Sequence, residues 1–126
     1  SPPVSEIINR QKDSLSASEL AQLVQLWQNY QSSMLRYFLD HDVLICPVNA
    51  KTAISHDDRE DFADYTYTAA YNLTGWPSVV IRAGSGPNGL PVGLQIIAKP
   101  FAEHDALAMA AWLEEQIGAF DGPGHI

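Results

Sequence analysis

The sequence predicts an α/β fold: a partial mixed sheet, built from a strand, a helix and an antiparallel hairpin, flanked by helices. Three observations predict it. A long stretch after Ser16 carries apolar residues at helical spacing. Two short β-branched runs are closed by prolines or by a glycine-rich turn. An Ala- and Leu-rich stretch fills the interval from Glu103 to Gly118. One strand and one hairpin leave apolar faces and edges that want neighbours, so the sheet reads as part of a larger one. Alone, such a chain is expected to expose an apolar strand edge or face, and to dimerise, swap elements or aggregate.

The elements follow in order. Residues 1–13 open on Ser1-Pro2-Pro3 and read as a lead-in or a short helix around Glu6 to Lys12. A long helix over about 16–40 is the clearest element. Ser16-Ala17-Ser18-Glu19 has the spacing of a capping box, in which the serine accepts from an early backbone N–H and the glutamate reaches back. Leu20, Leu23, Val24, Trp27, Tyr30, Met34, Leu35 and Phe38 then form one apolar stripe. Val43-Leu44-Ile45-Cys46 reads as a buried strand over about 43–46, ended by Pro47, which has no N–H to donate. Residues 48–56 are loop-like. A helix over about 58–73 follows, with acids at its start, Gly75 positioned to end it at positive φ, and Pro77 to stop it. A hairpin spans about 78–99, its turn running from Gly84 to Gly89 with Asn88-Gly89 tolerant of positive φ. Its second strand is mostly apolar, which suits burial on both faces, and Gly93 within it marks a close backbone approach or a bulge. The last helix covers about 103–117 and stops at Gly118; the tail after it has no structural signal.

Composition removes several function classes. The net charge is −8, which disfavours nucleic acid and anionic membrane surfaces, because both need clustered Lys and Arg. No apolar run approaches the roughly 20 residues of a membrane span. Cys46 is the one cysteine, so no internal disulfide forms; a reducing compartment fits, and cytoplasmic is the expected location. No signal peptide is read. The first residue is Ser1 rather than Met, as in a chain cut from something longer or one whose initiator Met has been removed.

Tyr67-Thr68-Ala69-Ala70-Tyr71-Asn72-Leu73-Thr74-Gly75-Trp76-Pro77 resembles a segment typical of amidase-signature hydrolases, in which a Thr precedes Asn-Leu-x-Gly-x-Pro and then a strand. The continuation is similar as well: Ser78-Val79-Val80-Ile81-Arg82-Ala83-Gly84, a turn, Gly89-Leu90-Pro91-Val92-Gly93-Leu94-Gln95-Ile96-Ile97, and Lys99-Pro100-Phe101-Ala102-Glu103 opening the final helix. Asp42-Val43-Leu44-Ile45-Cys46-Pro47 looks like the family's strand after a long helix. The resemblance covers about residues 20–118 and implies that the whole chain, 1–126, is a C-terminal segment of an amidase-signature domain.

The family's chemistry needs a lysine, a bridging serine in an unusual peptide geometry, and a nucleophilic serine in a Gly/Ser-rich loop; backbone N–H groups stabilise the oxyanion. None of this machinery is matched here. The lysines are Lys12, Lys51 and Lys99, and the serine pair Ser32-Ser33 sits mid-helix without glycines, where solvent-facing or back-bonded serines are the ordinary case. No catalytic residue is therefore assigned within the segment. The resemblance implies an amidase that hydrolyses a carboxamide C–N bond through an acyl-serine, with no cofactor and with a small-molecule amide as substrate. It also leaves open the A subunit of a tRNA-dependent amidotransferase, and a non-catalytic C-terminal module stands beside both. Either the missing N-terminal part of the fold or a homo-oligomer partner would complete the sheet.

By resemblance, Thr68 and Asn72, with the loop after Cys46-Pro47, lie near the acyl-binding cleft. Tyr67, Tyr71 and Trp76 are candidate pocket walls, with core packing as the alternative for each. Asn72 at a helix end has the further reading of satisfying orphan backbone groups. Cys46, in an apolar strand, is more simply a small buried residue than a nucleophile. Glutamine-directed members of the family use an acidic residue where Tyr65 stands here, with Asp64 one position away. His56 with Asp57 and Asp58 lacks a second histidine at ligand spacing, so no metal site is assigned, and Asp57 to Asp61 read as a solvated helix start.

Overall fold

The computed structural model describes residues 14–55, 57 and 65–118, and divides the chain into two compact units, Ser1–Ser33 and Met34–Ile126. The expected short helix around Glu6 to Lys12, the first part of the helix over about 58–73, and residues 119–126 lie outside the described residues.

The first unit carries most of helix α1, Ala17–Leu35. Its start is a reciprocal cap. The Ser16 N–H donates to a Glu19 carboxylate oxygen at 2.8 Å, the Ser16 hydroxyl donates to the same oxygen at 2.7 Å, and the Glu19 N–H donates to Ser16 Oγ at 3.3 Å. Two orphan donors of the first turn are thereby satisfied. These bonds hold the Glu19 carboxyl below the ordinary glutamate range, the Ser16 hydroxyl contributing most. No residue of α1 is buried, and Leu20, Leu23, Val24 and Trp27 of the apolar stripe are exposed.

The α-helix does not run to residue 40 as the periodicity suggests. It tightens into a 3-10 segment, Arg36–Leu39. The last turn meets its own carbonyls there: the Asp40 N–H reaches Tyr37 O at 3.5 Å, His41 Nδ1 lies 3.0 Å from the same oxygen, and the His41 ring stacks on Tyr37 at 4.2 Å between centroids. A tightened final turn is a common way to satisfy C-terminal carbonyls. Here it also accompanies the burial of Phe38.

In the second unit, strands β1 (Val43–Pro47), β2 (Ser78–Ser85) and β3 (Pro91–Ala98) form one sheet with β3 in the middle. Both neighbours run antiparallel to β3, so the described strands make an antiparallel sheet; the parallel pairing of a mixed sheet is not made among them. Four consecutive residues of β3, Gln95 to Ala98, are buried, which requires cover on both sides. Helix α3, Glu103–Ile117, covers one face: its Ala106 and Ala110, with Ala102 just before it, meet Ile81, Ile96 and Ala98, with Leu94, Met109 and Leu113 packed around them. The three alanines let the helix approach the strands closely. On the other face Phe38, Trp76 and Ile97 form a second cluster with Leu44, Cys46 and Tyr71. Full burial of Ile96 and Ile97 contributes about 1.5–3 kcal/mol each.

Helix α2, Thr66–Thr74, ends where Gly75 takes φ 72° and returns its N–H to Tyr71 O at 2.9 Å. The hairpin turn is closed by Gly86 N–H to Leu90 O at 2.8 Å and Gly89 N–H to Gly86 O at 2.9 Å. A bulge leaves Ala83 without a partner between the pairs Arg82–Gly93 and Gly84–Val92. Gly93 is also a site of close approach. A Cβ there would lie 2.9 Å from Val48 Cγ2, and Val48 donates its N–H to Gly93 O at 3.1 Å.

Two outcomes follow. Gly93→Ala must displace Val48 and should destabilise the fold by about 1–3 kcal/mol in a denaturant titration. The depressed Glu19 carboxyl stabilises the capped helix above the ordinary glutamate range, and that stabilisation is lost as pH falls through its folded-state pKa. Far-UV circular dichroism should show helicity falling on acidification. Glu19→Gln should flatten that fall.

Candidate functional site

The register of the sheet brings Cys46 of β1, Gln95 of β3 and Val80 of β2 abreast, since Cys46 and Val80 both pair with Gln95. Gln95 is 2% exposed, a carboxamide set in an otherwise apolar stretch of strand. Burial of an amide without partners would cost several kcal/mol, so its bonds decide what the site looks like. Its Nε2 lies 2.6 Å from Tyr67 O in the first turn of α2, 3.1 Å from Pro47 O at the end of β1, and 3.2 Å from Cys46 Sγ. Both carbonyls are acceptors only, which places the nitrogen rather than the oxygen of the carboxamide against them. The Tyr71 hydroxyl approaches Cys46 Sγ at 3.8 Å. One amide thus joins the end of β1 to the start of α2, beside a thiol on β1 and a phenol on α2.

Of the residues singled out in the sequence, Cys46, Tyr67 and Tyr71 come together at this point. Cys46 and Tyr71 are half-buried, whereas Tyr67 meets the site through its backbone carbonyl while the residue is 39% exposed. Trp76 lies in the adjoining core, 6% exposed and edge-on to Phe38 at 5.0 Å between centroids. Its placement is that of a packing residue. Thr68 turns its hydroxyl back onto Tyr65 O at 3.1 Å, and Asn72 is exposed one helical turn further along. Neither joins the cluster. Ser32 and Ser33 lie exposed in α1.

Gln95 was not among the sequence candidates. The available signal was its polarity within Leu94-Gln95-Ile96-Ile97, because a polar side chain in a doubly buried strand must find partners.

The cluster presents neutral hydrogen-bonding groups against an apolar floor. No group of three or more His, Cys, Asp or Glu suited to a metal occurs among the described residues, and no described helix is long and apolar enough to cross a membrane. Beyond the cluster, the loop after Pro47 is held to the hairpin by Val48 against Gly93 and by Asn88 Nδ2, which donates to Thr52 Oγ1 at 3.3 Å.

Known proteins resemble this chain along most of its length. A family model described as Amidase matches residues 1–107. The chain is 34% identical over 86 residues to the A subunit of the glutamyl-tRNA(Gln) amidotransferase of Mesorhizobium japonicum, covering 63% of this chain and 16% of that protein. It is 35% identical over 83 residues to the A subunit of the mitochondrial glutamyl-tRNA(Gln) amidotransferase of Ornithorhynchus anatinus, covering 60% of this chain and 16% of that protein. This chain therefore spans 16% of the length of these relatives. Among solved structures, a crystal structure of an amidase superposes with a TM-score of 0.75 at 23% identity, over 94% of this chain and 29% of that one. A bacterial aryl acylamidase of the amidase-signature family superposes with a TM-score of 0.70 at 22% identity, over 91% and 26%. These two likenesses concern the fold.

The positions of Trp76 and Asn72 separate packing from surface. Trp76→Ala should lower stability by about 3–5 kcal/mol, as removal of a core aromatic does, whereas Asn72→Ala should stay within about 0.5 kcal/mol. Denaturant melts of the two variants measure the contrast.

Proposed function

We propose, from the premise that this chain belongs to the amidase family, that it is the C-terminal segment of an amidase that hydrolyses a carboxamide C–N bond. The observation that carries the reading is the amidase family match over residues 1–107. In this reading the serine–serine–lysine machinery lies outside the segment. A serine hydroxyl there attacks the amide carbon while a neutral lysine draws its proton through the bridging serine. The amine leaves with a proton, and water then releases the acid from the acyl-serine. The segment's contribution is structural and steric: β1, β3 and α2 present the neutral wall of Cys46, Tyr67 and Tyr71, with Thr68 and Asn72 beside it on α2. An uncharged wall on an apolar floor suits the acyl part of a small amide. The rest of the family's fold, or a second copy, covers the sheet's free edges, and the working compartment is the cytoplasm.

A second reading, the A subunit of a tRNA-dependent amidotransferase, is favoured by the names of the curated relatives, one of which, from Heliobacterium modesticaldum, is 40% identical over 86 residues. Against it stands Tyr65, at the position that the resemblance matches to the acid of glutamine-directed members; a register one residue earlier would put Asp64 there.

Ammonia release from a carboxamide series and from glutamine tests both. The full-length protein should turn over simple carboxamides and form an acyl adduct on a serine outside these residues, seen by peptide mass spectrometry. The 126-residue chain should release none. Strong preference for glutamine would favour the amidotransferase reading, and turnover by the short chain would sink the assignment of the machinery elsewhere.

A further inference from the structure

We propose that Gln95 is the positioning residue of this site: its carboxamide ties the end of β1 to the start of α2 and so sets the width of the wall between them. The inference rests on the amidase reading for what the wall contacts, but the tether itself is argued from geometry alone. A carboxamide nitrogen carries two protons, and three groups stand within reach of them: Tyr67 O at 2.6 Å, Pro47 O at 3.1 Å and Cys46 Sγ at 3.2 Å. The two carbonyls are the stronger acceptors and lie on different elements. Pro47 is the last residue of β1, from which the loop toward Thr52 departs; Tyr67 is the second residue of α2. They are 20 positions apart in the chain, and among the described residues Gln95 is the side chain that bonds to both.

An apolar residue of the same size would fill the buried space of Gln95 and would leave no amide to desolvate. What it would not supply is a bond to either carbonyl. Without those bonds the Pro47 and Tyr67 carbonyls lose the side chain they share, and it no longer fixes the distance between them. Cys46 precedes Pro47 on β1 and Tyr71 lies one helical turn after Tyr67 on α2, so their contact, 3.8 Å from sulfur to hydroxyl, spans the same two elements. The sulfur therefore reports on the tether. Cys46 is the chain's single cysteine, so thiol labelling reads one site.

The test compares Gln95→Met, which keeps length and volume but has no donor, with Ile97→Val, which weakens the neighbouring core and leaves the tether intact. The rate of Cys46 labelling by a disulfide reagent is measured on the chain as it stands, beside the melting temperature. Gln95→Met should label about tenfold faster, the factor that one lost hydrogen bond is worth in a local opening equilibrium. Ile97→Val should melt lower without faster labelling. In the full-length enzyme, Gln95→Met should raise KM for carboxamides with bulky acyl groups about tenfold with kcat little changed, since the interaction lost is one of binding. Equal labelling of Gln95→Met and the parent chain would overturn the proposal, as would a parallel fall of kcat and kcat/KM with KM unmoved. Faster labelling in a protein that hydrolyses no carboxamide would uphold the tether and remove the amidase reading. Should Gln95→Met fail to fold, side-chain amide exchange in the unmodified chain decides. Gln95 Nε2 protons should exchange far more slowly than those of exposed Gln25; equal rates would overturn the proposal.

Discussion

Strand β3 must be covered on both faces, and the second unit is organised by that requirement. Gln95, Ile96, Ile97 and Ala98 are all buried in succession, yet a strand presents alternate residues to opposite sides. One face is met by the alanine row of α3, where small side chains bring a helix close. The other is met by Trp76 and Phe38, two large rings in an edge-to-face contact at 5.0 Å. The difference in side-chain size between the covers follows from the backbones that carry them. A regular helix lies flat on a sheet and needs little volume to fill the gap. The chain around Phe38 and Trp76 is a 3-10 turn and a post-helical segment, so bulk has to span the distance.

Placing β3 centrally has a consequence for polarity. Its flanking strands are edges within the described sheet, and residues such as Ile45 and Val80 on them are exposed. Of the two buried polar residues among the described ones, Gln95 is on the central strand and Thr74 ends α2. Gln95 is buried where water cannot reach it, and its bonds are met by two carbonyls and a thiol drawn from other elements. A buried amide that is satisfied in this manner rigidifies its surroundings, because losing any partner leaves a desolvated group behind. The site and the core are therefore one arrangement: Cys46 and Tyr71 belong both to the apolar cluster under Ile97 and to the neighbourhood of the Gln95 amide.

The glycines show how backbone freedom enters this arrangement. Gly75 ends α2 in the left-handed region, so the chain can leave the helix and place Trp76 in the core. Gly93 does something different. Its missing Cβ makes room for Val48, which carries the chain onward from Pro47 along the hairpin. The loop after β1 is consequently seated by Val48 in that space, a backbone bond and the Asn88–Thr52 contact.

Local chemistry alone determined several features of this protein. The capping box at Ser16, the stop at Gly75, the turn at Gly86 to Gly89 and the helix from Glu103 to Ile117 each depend on residues within a few positions of one another, and each was legible from that spacing. The family resemblance was legible for a related reason, since the order of glycines, prolines and apolar runs records the architecture. Tertiary structure decided the rest. The 3-10 ending of the first helix accompanies the entry of Phe38 into a cluster with Trp76, far along the chain. The choice of β3 as the centre follows from pairing with β1 across an intervening helix. The assembly of the site depends on Gln95 reaching carbonyls 48 and 28 positions upstream. No local rule encodes such contacts. They arise when a polar atom, removed from water by the packing around it, takes whichever acceptors the fold has brought within about 3 Å.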